Sequence, residues 1–153
     1  MTSELIFRRA TASDLSAIVA LLADDALGRV REDTRLPVSD SYLRAFETID
    51  ADPNQFLAVA EIDGRVAGTL QLTFIAGISR QGAWRGQIEA VRVSTDRRGI
   101  GLGARMIEWA IGQCRARNCD LVQLTTDKSR TDAHRFYEKL GFKASHIGYK
   151  LKV

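Results

Sequence analysis

The sequence predicts an α/β fold of the α+β kind: a mixed, mostly antiparallel central sheet of about six to seven strands flanked by four helices. Three observations predict it. Apolar spacing switches between the periods of strand and helix several times along the chain, so both element types are interleaved. The pair Asp63-Gly64 stands between two strand-like runs and reads as a hairpin turn. The strand-like run "GQIEAVRV" leads through "STDRRGIGLGARMIE" straight into helical spacing.

Taken in order, "LIFRRA" is the first strand, and "TASDLSAIVALLADD" sets Leu15, Ile18, Val19 and Leu22 on one helical face, with Thr11 or Ser13 as cap. "LGRVREDTRLP" is polar and glycine-containing and reads as a loop. A second helix lies within "SDSYLRAFETIDA", ended by Pro53. In "QFLAVAEIDGRVAGTLQLTFI" an apolar strand turns at Asp63-Gly64, after which Leu70, Leu72 and Phe74 alternate with Thr69, Gln71 and Thr73. Beyond "GQIEAVRV", the third helix buries Leu102, Met106, Ala110 and Cys114, with Ile107 and Ile111 beside them. "LVQLTT" is a strand. "SRTDAHRFYEKLGF" is a helix with Ala133, Phe136, Tyr137 and Leu140 on its apolar side and Gly141 at a left-handed cap. "ASHIGYKLKV" reads as a final strand.

With 153 residues and neither repeat nor linker, the whole span 1–153 reads as one domain, large enough for a core without disulfides or a structural metal. The 22 basic and 19 acidic side chains are spread along the chain, and a net charge of +3 gives no concentrated basic face, so nucleic acid is not expected as a partner. No apolar run approaches a membrane span and the first ten residues do not resemble a secretion signal, so a cytoplasmic location and no membrane partner are expected. A homodimer is left open. Cys114 and Cys119 are wrongly spaced for a zinc site, and His134 and His146 stand alone, so no metal is expected.

A strand feeding a glycine turn and then a helix aims free backbone N–H groups and the positive end of the helix dipole at one point, an arrangement that favours phosphate. Gly99, Gly101 and Gly103 carry no side chain to block the approach. A P-loop would end in Gly-Lys-Ser/Thr, whereas Gly103 is followed by Ala104 and Arg105; a dinucleotide fingerprint would read Gly-x-Gly-x-x-Gly after the first strand of a parallel unit. Neither fits. "VRVSTDRRGIGLGARMIEWA" instead resembles the coenzyme A pyrophosphate loop of the GNAT superfamily of N-acetyltransferases, whose signature of Gln or Arg, two residues, Gly, one residue, then Gly or Ala is met by Arg98, Gly101 and Gly103. "AHRFYEKLGF" is similar to the family's late helix and the start of its next strand. The element order is also that of the GNAT fold, and the resemblance covers nearly the whole chain.

The resemblance implies acetyl transfer from acetyl-CoA, as co-substrate, to an amine. Main-chain groups of Val91, Arg92 and Val93 would pair with the pantetheine arm, and Arg98, Gly99, Ile100, Gly101, Leu102, Gly103 and Ala104 would wrap the pyrophosphate, with Phe136 completing the coenzyme set. For Arg97 a solvated charge is the preferred reading. The chemistry needs a base for the ammonium proton, N–H donors for the oxyanion and an acid for the departing thiolate. Tyr137 matches the family's tyrosine that faces the sulfur, and the Val91 N–H is the family's usual oxyanion donor. Glu89 is the candidate base, two residues before Val91 and therefore expected on the same face; Gln87 shares that face and offers to hold a water instead. Arg130 stands where many members carry an asparagine against the pantetheine arm, which leaves that contact open to Ser129 or Thr131.

For the acceptor, the resemblance implicates the loop after the first helix and the loop holding "AGISRQGAWRG". There Trp84 with Arg80 and Arg85 reads as an aromatic wall with anion-binding groups, while Asp24, Asp25, Glu32 and Asp33 offset part of that positive field. "RTDAHRFYEKLGF" followed by "SH" looks somewhat like the acetyltransferases of small aminophosphonates. A small-molecule amine is the preferred acceptor. A protein N-terminus or lysine, and a non-catalytic acyl-CoA sensor, are the alternatives.

Overall fold

Asp63 and Gly64 have φ of 50° and 76°, the left-handed pair required by a two-residue hairpin turn, and they join β2 (Gln55–Ile62) to β3 (Arg65–Ala76). The computed structural model describes residues 3–153, in two compact units divided after Gln123. In the first unit β1 (Leu5–Arg9) pairs antiparallel with β2, and β4 (Trp84–Val93) with β3. β5 (Leu121–Leu124) lies on the far side of β4, giving the order β1-β2-β3-β4-β5. The Asp120 N–H donates to the Trp84 carbonyl at 2.8 Å and the Gln123 amide to the Gln87 side chain at 2.7 Å. The two strands thus advance together, so β5 is parallel to β4 and the sheet is mixed.

Successive strand residues face opposite ways, and β2 uses both faces. Phe56 meets Trp109 of α4 (Leu102–Ala116) at 5.4 Å between centroids, and Phe7 of β1 stacks on the same indole at 5.5 Å. Leu57 and Val59 instead join Ala10, Ile18, Leu22 and Phe46, from α1 (Leu15–Ala23) and α2 (Asp40–Ala51) and the segment before them. Helices therefore cover both sides of the middle strands, and Ala58, Val59 and Ala60 are all buried. Two glycines admit α4 to the sheet: a Cβ on Gly86 would lie 2.2 Å from the Cys114 Sγ, and one on Gly68 2.6 Å from the Met106 Sδ. Leu102, Met106, Ile107, Ala110 and Cys114 are buried along that helix, the stripe its spacing predicts; Ile111 lies at the margin.

The entry to α1 is fixed by charge. Asp14 accepts the Thr11 N–H at 2.8 Å and two bonds from the Arg8 guanidinium at 2.7 and 3.0 Å, while Arg8 Nε donates to Glu61 at 2.8 Å. The Arg8 hydrogen bonds hold the Asp14 carboxyl below its usual range, against the opposing effect of burial. A depressed carboxyl contributes stability above its unfolded value, about 3.9, and that contribution is lost as pH falls through the lower folded value. Asp14→Ala is expected to cost about 1–3 kcal/mol near neutral pH, because Arg8 keeps Glu61 as a partner. Urea melts of the variant should therefore converge on wild type as pH drops below about 4; a deficit that persists unchanged into acid would trace the loss to packing.

Among the described residues there are five strands against the expected six to seven, and five α-helical segments, besides short 3₁₀ turns, against the expected four. The additional one, α3 (Ser79–Gly82), is a single irregular turn in which Arg80 and Gln81 take left-handed φ of 54° and 61°. In the second unit, residues 144–153 join no ladder. The Ser145 N–H turns back to the Lys143 carbonyl at 2.9 Å, a three-residue turn that breaks the extended path at its start. Alternation in Ile147, Tyr149 and Leu151 specifies a face, not a pairing partner, and all three are exposed. That unit also holds α5 (Thr131–Lys139), closed as its sequence predicts: the Phe142 N–H donates to the Tyr137 carbonyl at 3.1 Å and the Gly141 N–H to that of Glu138 at 3.0 Å, with Gly141 at φ 93°.

Candidate functional site

β4 places the expected coenzyme strand, and its ladder with β3 is interrupted where that strand matters. Gln71 pairs with Glu89 and Thr69 with Arg92, so three steps on β4 oppose two on β3. The additional residue is accommodated at Ala90, whose φ of 53° is left-handed. This bulge corrects the expected alternation: with a left-handed residue between them, Glu89 and Val91 no longer share a face by period two. Glu89 is exposed, while Val91, Arg92 and Val93 are half-buried.

Past the strand, a 3₁₀ turn (Thr95–Arg97) leads into the glycines. Gly99 and Gly101 have φ of 79° and 83°, and a Cβ on either would meet no protein atom within 4 Å. Both therefore border open space that their missing side chains leave clear. Gly101 caps α4, and the first helical bond runs from the Arg105 N–H to the Gly101 carbonyl at 3.2 Å, so the N–H groups of Leu102, Gly103 and Ala104 belong to the unsatisfied first turn. Donors, dipole and clearance converge there, an arrangement that fits a pyrophosphate. Ile100, 63% exposed, has its side chain in solvent and offers the loop its main chain.

Arg98 is committed within the protein. Its Nε donates to the Val93 carbonyl at 3.2 Å, and its Nη2 lies 3.4 Å from the Asp24 carbonyl and 3.5 Å from the Asp24 carboxylate. The Thr95 hydroxyl donates to the same carboxylate at 2.5 Å. Next to it, Asp25 pairs with Arg92 at 3.1 Å and accepts the Gly28 N–H at 2.5 Å. Sequence reading took Asp24 and Asp25 only as charges offsetting nearby arginines. Their partners lie about seventy positions away, beyond what local spacing reports. Arg97 sits 3.7 Å from the exposed Asp96 and is itself half-buried.

Of the acceptor candidates, Trp84 and Arg85 are the first residues of β4, paired with Ala76 and Ile75, and not part of a loop. Arg80 lies in the left-handed turn of α3, and Gln87 is engaged by Gln123. Tyr137 and Phe136 belong to the second unit. There the Tyr137 ring meets Phe136 edge-on at 5.1 Å and Phe142 at 5.9 Å, pinned by the α5 cap. The turn before α5 is organised by Asp127, which accepts from both the Ser129 N–H and hydroxyl, so Arg130 occupies the cap position without capping by its side chain.

Among the described residues no three His, Cys, Asp or Glu side chains gather as a metal site, and no helix is long and apolar enough to cross a membrane. Cys114 and Cys119 are free thiols, and burial pushes that of Cys114 up to about 11.

Comparison with known proteins places this geometry. The chain is 29% identical over 142 residues to the aminoalkylphosphonate N-acetyltransferase of Salmonella typhimurium, covering 93% of this chain and 87% of that one. Among solved structures, a protein described as a transcriptional regulator from Bacillus halodurans C-125 is 48% identical with a TM-score of 0.95, covering 98% of this chain and all of that one. The glucosamine-6-phosphate N-acetyltransferase of Arabidopsis thaliana is 25% identical with a TM-score of 0.78, over 97% of this chain and 98% of that one. The family pattern described as acetyltransferase (GNAT) matches residues 21–142, across the bulged strand, the glycine loop and α5 alike, and the chain belongs to that family.

Proposed function

We propose that the chain transfers an acetyl group from acetyl-CoA to the primary amine of a small molecule, as one domain working in the cytoplasm. The observation that carries this is the clear space at Gly99 and Gly101 in front of the α4 first turn, at the end of a strand whose ladder is broken. When bound, acetyl-CoA supplies the reactive thioester. The chain's own groups do the rest: Val91 through Val93 offer main-chain partners, residues 98–104 hold the pyrophosphate, and the Val91 N–H donates to the acetyl oxygen as negative charge gathers there. Glu89, or a water held beside Gln87, takes the amine proton; the Tyr137 hydroxyl returns one to the departing sulfur. The aminoalkylphosphonate relative supports a small acceptor carrying an anionic group, with Arg80 and Arg85 as the cations and Trp84 as the wall.

Free thiol release from acetyl-CoA, screened across amino acids, aminophosphonates, polyamines, aminoglycosides and peptides, tests the reading. Release with a small amine is the expected result. Release with peptides alone would move the acceptor to proteins. Coenzyme binding with no release from any acceptor would favour a non-catalytic acyl-CoA sensor. With an acceptor in hand, Trp84→Ala and Arg85→Ala are each expected to raise its KM about tenfold, roughly 1.4 kcal/mol, with acetyl-CoA KM unchanged. Equal rises in both constants would put these residues over the coenzyme.

A further inference from the structure

The Asp24 carboxylate occupies an unusual position for a group at the end of α1. Helix C-termini carry partial negative charge, so the local helix disfavours a carboxylate there. What holds it lies far along the chain: the Thr95 hydroxyl at 2.5 Å, in the 3₁₀ turn before the glycine loop, and Arg98 Nη2 at 3.5 Å, at the start of that loop. Arg98 is fixed from its other side by the Val93 carbonyl, which leaves Nη2 facing Asp24 as its charged partner. We propose that Asp24 competes with the coenzyme for Arg98: its carboxylate holds Arg98 as a stand-in anion, and the incoming pyrophosphate displaces it, so that filling the glycine loop frees the turn following α1. This rests on reading residues 98–104 as the pyrophosphate loop.

Exposure separates the two acidic neighbours. The Asp24 and Arg98 side chains are 47% and 51% exposed, whereas Asp25 and Arg92 are 26% and 16% exposed. The outer pair is solvated and exchangeable; the inner one is shielded. Asp25 also accepts the Gly28 N–H, and a Cβ on Gly28 would lie 1.8 Å from the Leu22 carbonyl, so the turn after α1 is closely packed at that point. The inner pair therefore serves as a hinge when the outer one opens. A pyrophosphate brings more charge than one carboxylate and meets the first-turn N–H groups as well, so Arg98 gains by the exchange. The part freed is the turn at residues 24–28; beyond it Glu32 and Asp33 stay held by the Tyr42 hydroxyl, which donates to the Glu32 carboxylate at 2.6 Å and accepts the Asp33 N–H at 2.9 Å.

The test is calorimetry with acetyl-CoA, together with amide hydrogen exchange over residues 24–28. Removing a competing carboxylate from a solvated pair should tighten binding roughly twofold to fivefold in Asp24→Asn, with Asp24→Glu close to wild type. In the Arg98→Gln background the same Asp24→Asn change should have no effect. Exchange over residues 24–28 should accelerate on coenzyme binding in wild type and already be fast in Asp24→Asn, a response that a merely structural carboxylate would not give. Unchanged or weaker binding by Asp24→Asn, or an equal effect in the Arg98→Gln background, would overturn the latch while leaving the loop assignment intact. Failure of wild type to bind acetyl-CoA would overturn the loop assignment and the latch together.

Discussion

Tyr137→Phe is expected to keep acetyl-CoA binding while lowering single-turnover acetyl transfer at least about tenfold. The ring's place is set by its own helix end: Phe142, brought back by the bond from its N–H to the Tyr137 carbonyl, packs edge-on at 5.9 Å, and Phe136 at 5.1 Å. Phenylalanine keeps all of this and loses the hydroxyl alone, so stability should change by no more than about 1 kcal/mol. The rate has more to lose. A phenol ionises near 10 and a thiol near 8.5, close enough for the phenol to protonate a departing thiolate, and loss of one positioned acid typically costs about 10²–10⁴-fold. Single-turnover measurement reads chemistry without product release, so a rate within about twofold of wild type would make Tyr137 a packing residue.

What the sequence revealed and concealed follows from how far each signal reaches. Helical spacing found the buried stripe of α4 because Leu102, Met106 and Cys114 report one face over about three turns, and Asp63-Gly64 and Gly141 announced left-handed backbone by residue type. Left-handed residues without glycine gave no such sign. Ala90 hides the bulge that breaks the β4 alternation, and Arg80 and Gln81 hide the irregular turn of α3. The last predicted strand failed for another reason: Ile147, Tyr149 and Leu151 alternate correctly, but pairing depends on an edge being within reach, which local pattern does not encode. In the glycine loop, Arg98, Gly101 and Gly103 were legible as a signature, since clearance and N–H donors depend on neighbours in sequence. The Asp24 carboxylate that occupies Arg98 was not, because 74 positions separate them.

Gly101→Val should abolish the thermal stabilisation that acetyl-CoA confers. Gly101 sits at φ 83° as the cap of α4, and its absent side chain would point into space bounded by no protein atom within 4 Å. Valine would fill the approach to the Leu102, Gly103 and Ala104 N–H groups without any clash inside the protein to push it aside. A ligand at about a hundred times its Kd stabilises the folded state by about 2.7 kcal/mol, which in a chain of this size is a Tm shift of roughly 5–11 °C. Left-handed backbone also costs a non-glycine residue roughly 1–2 kcal/mol, so the ligand-free variant should itself melt lower. Asparagine separates the two effects. It tolerates left-handed φ far better than valine, so Gly101→Asn should melt close to wild type without ligand, yet its side chain still projects into the same space. Loss of the acetyl-CoA shift in both variants identifies blocked access as the cause. If Gly101→Asn keeps the full shift, the space before α4 is not where the pyrophosphate lies, and backbone strain alone accounts for valine.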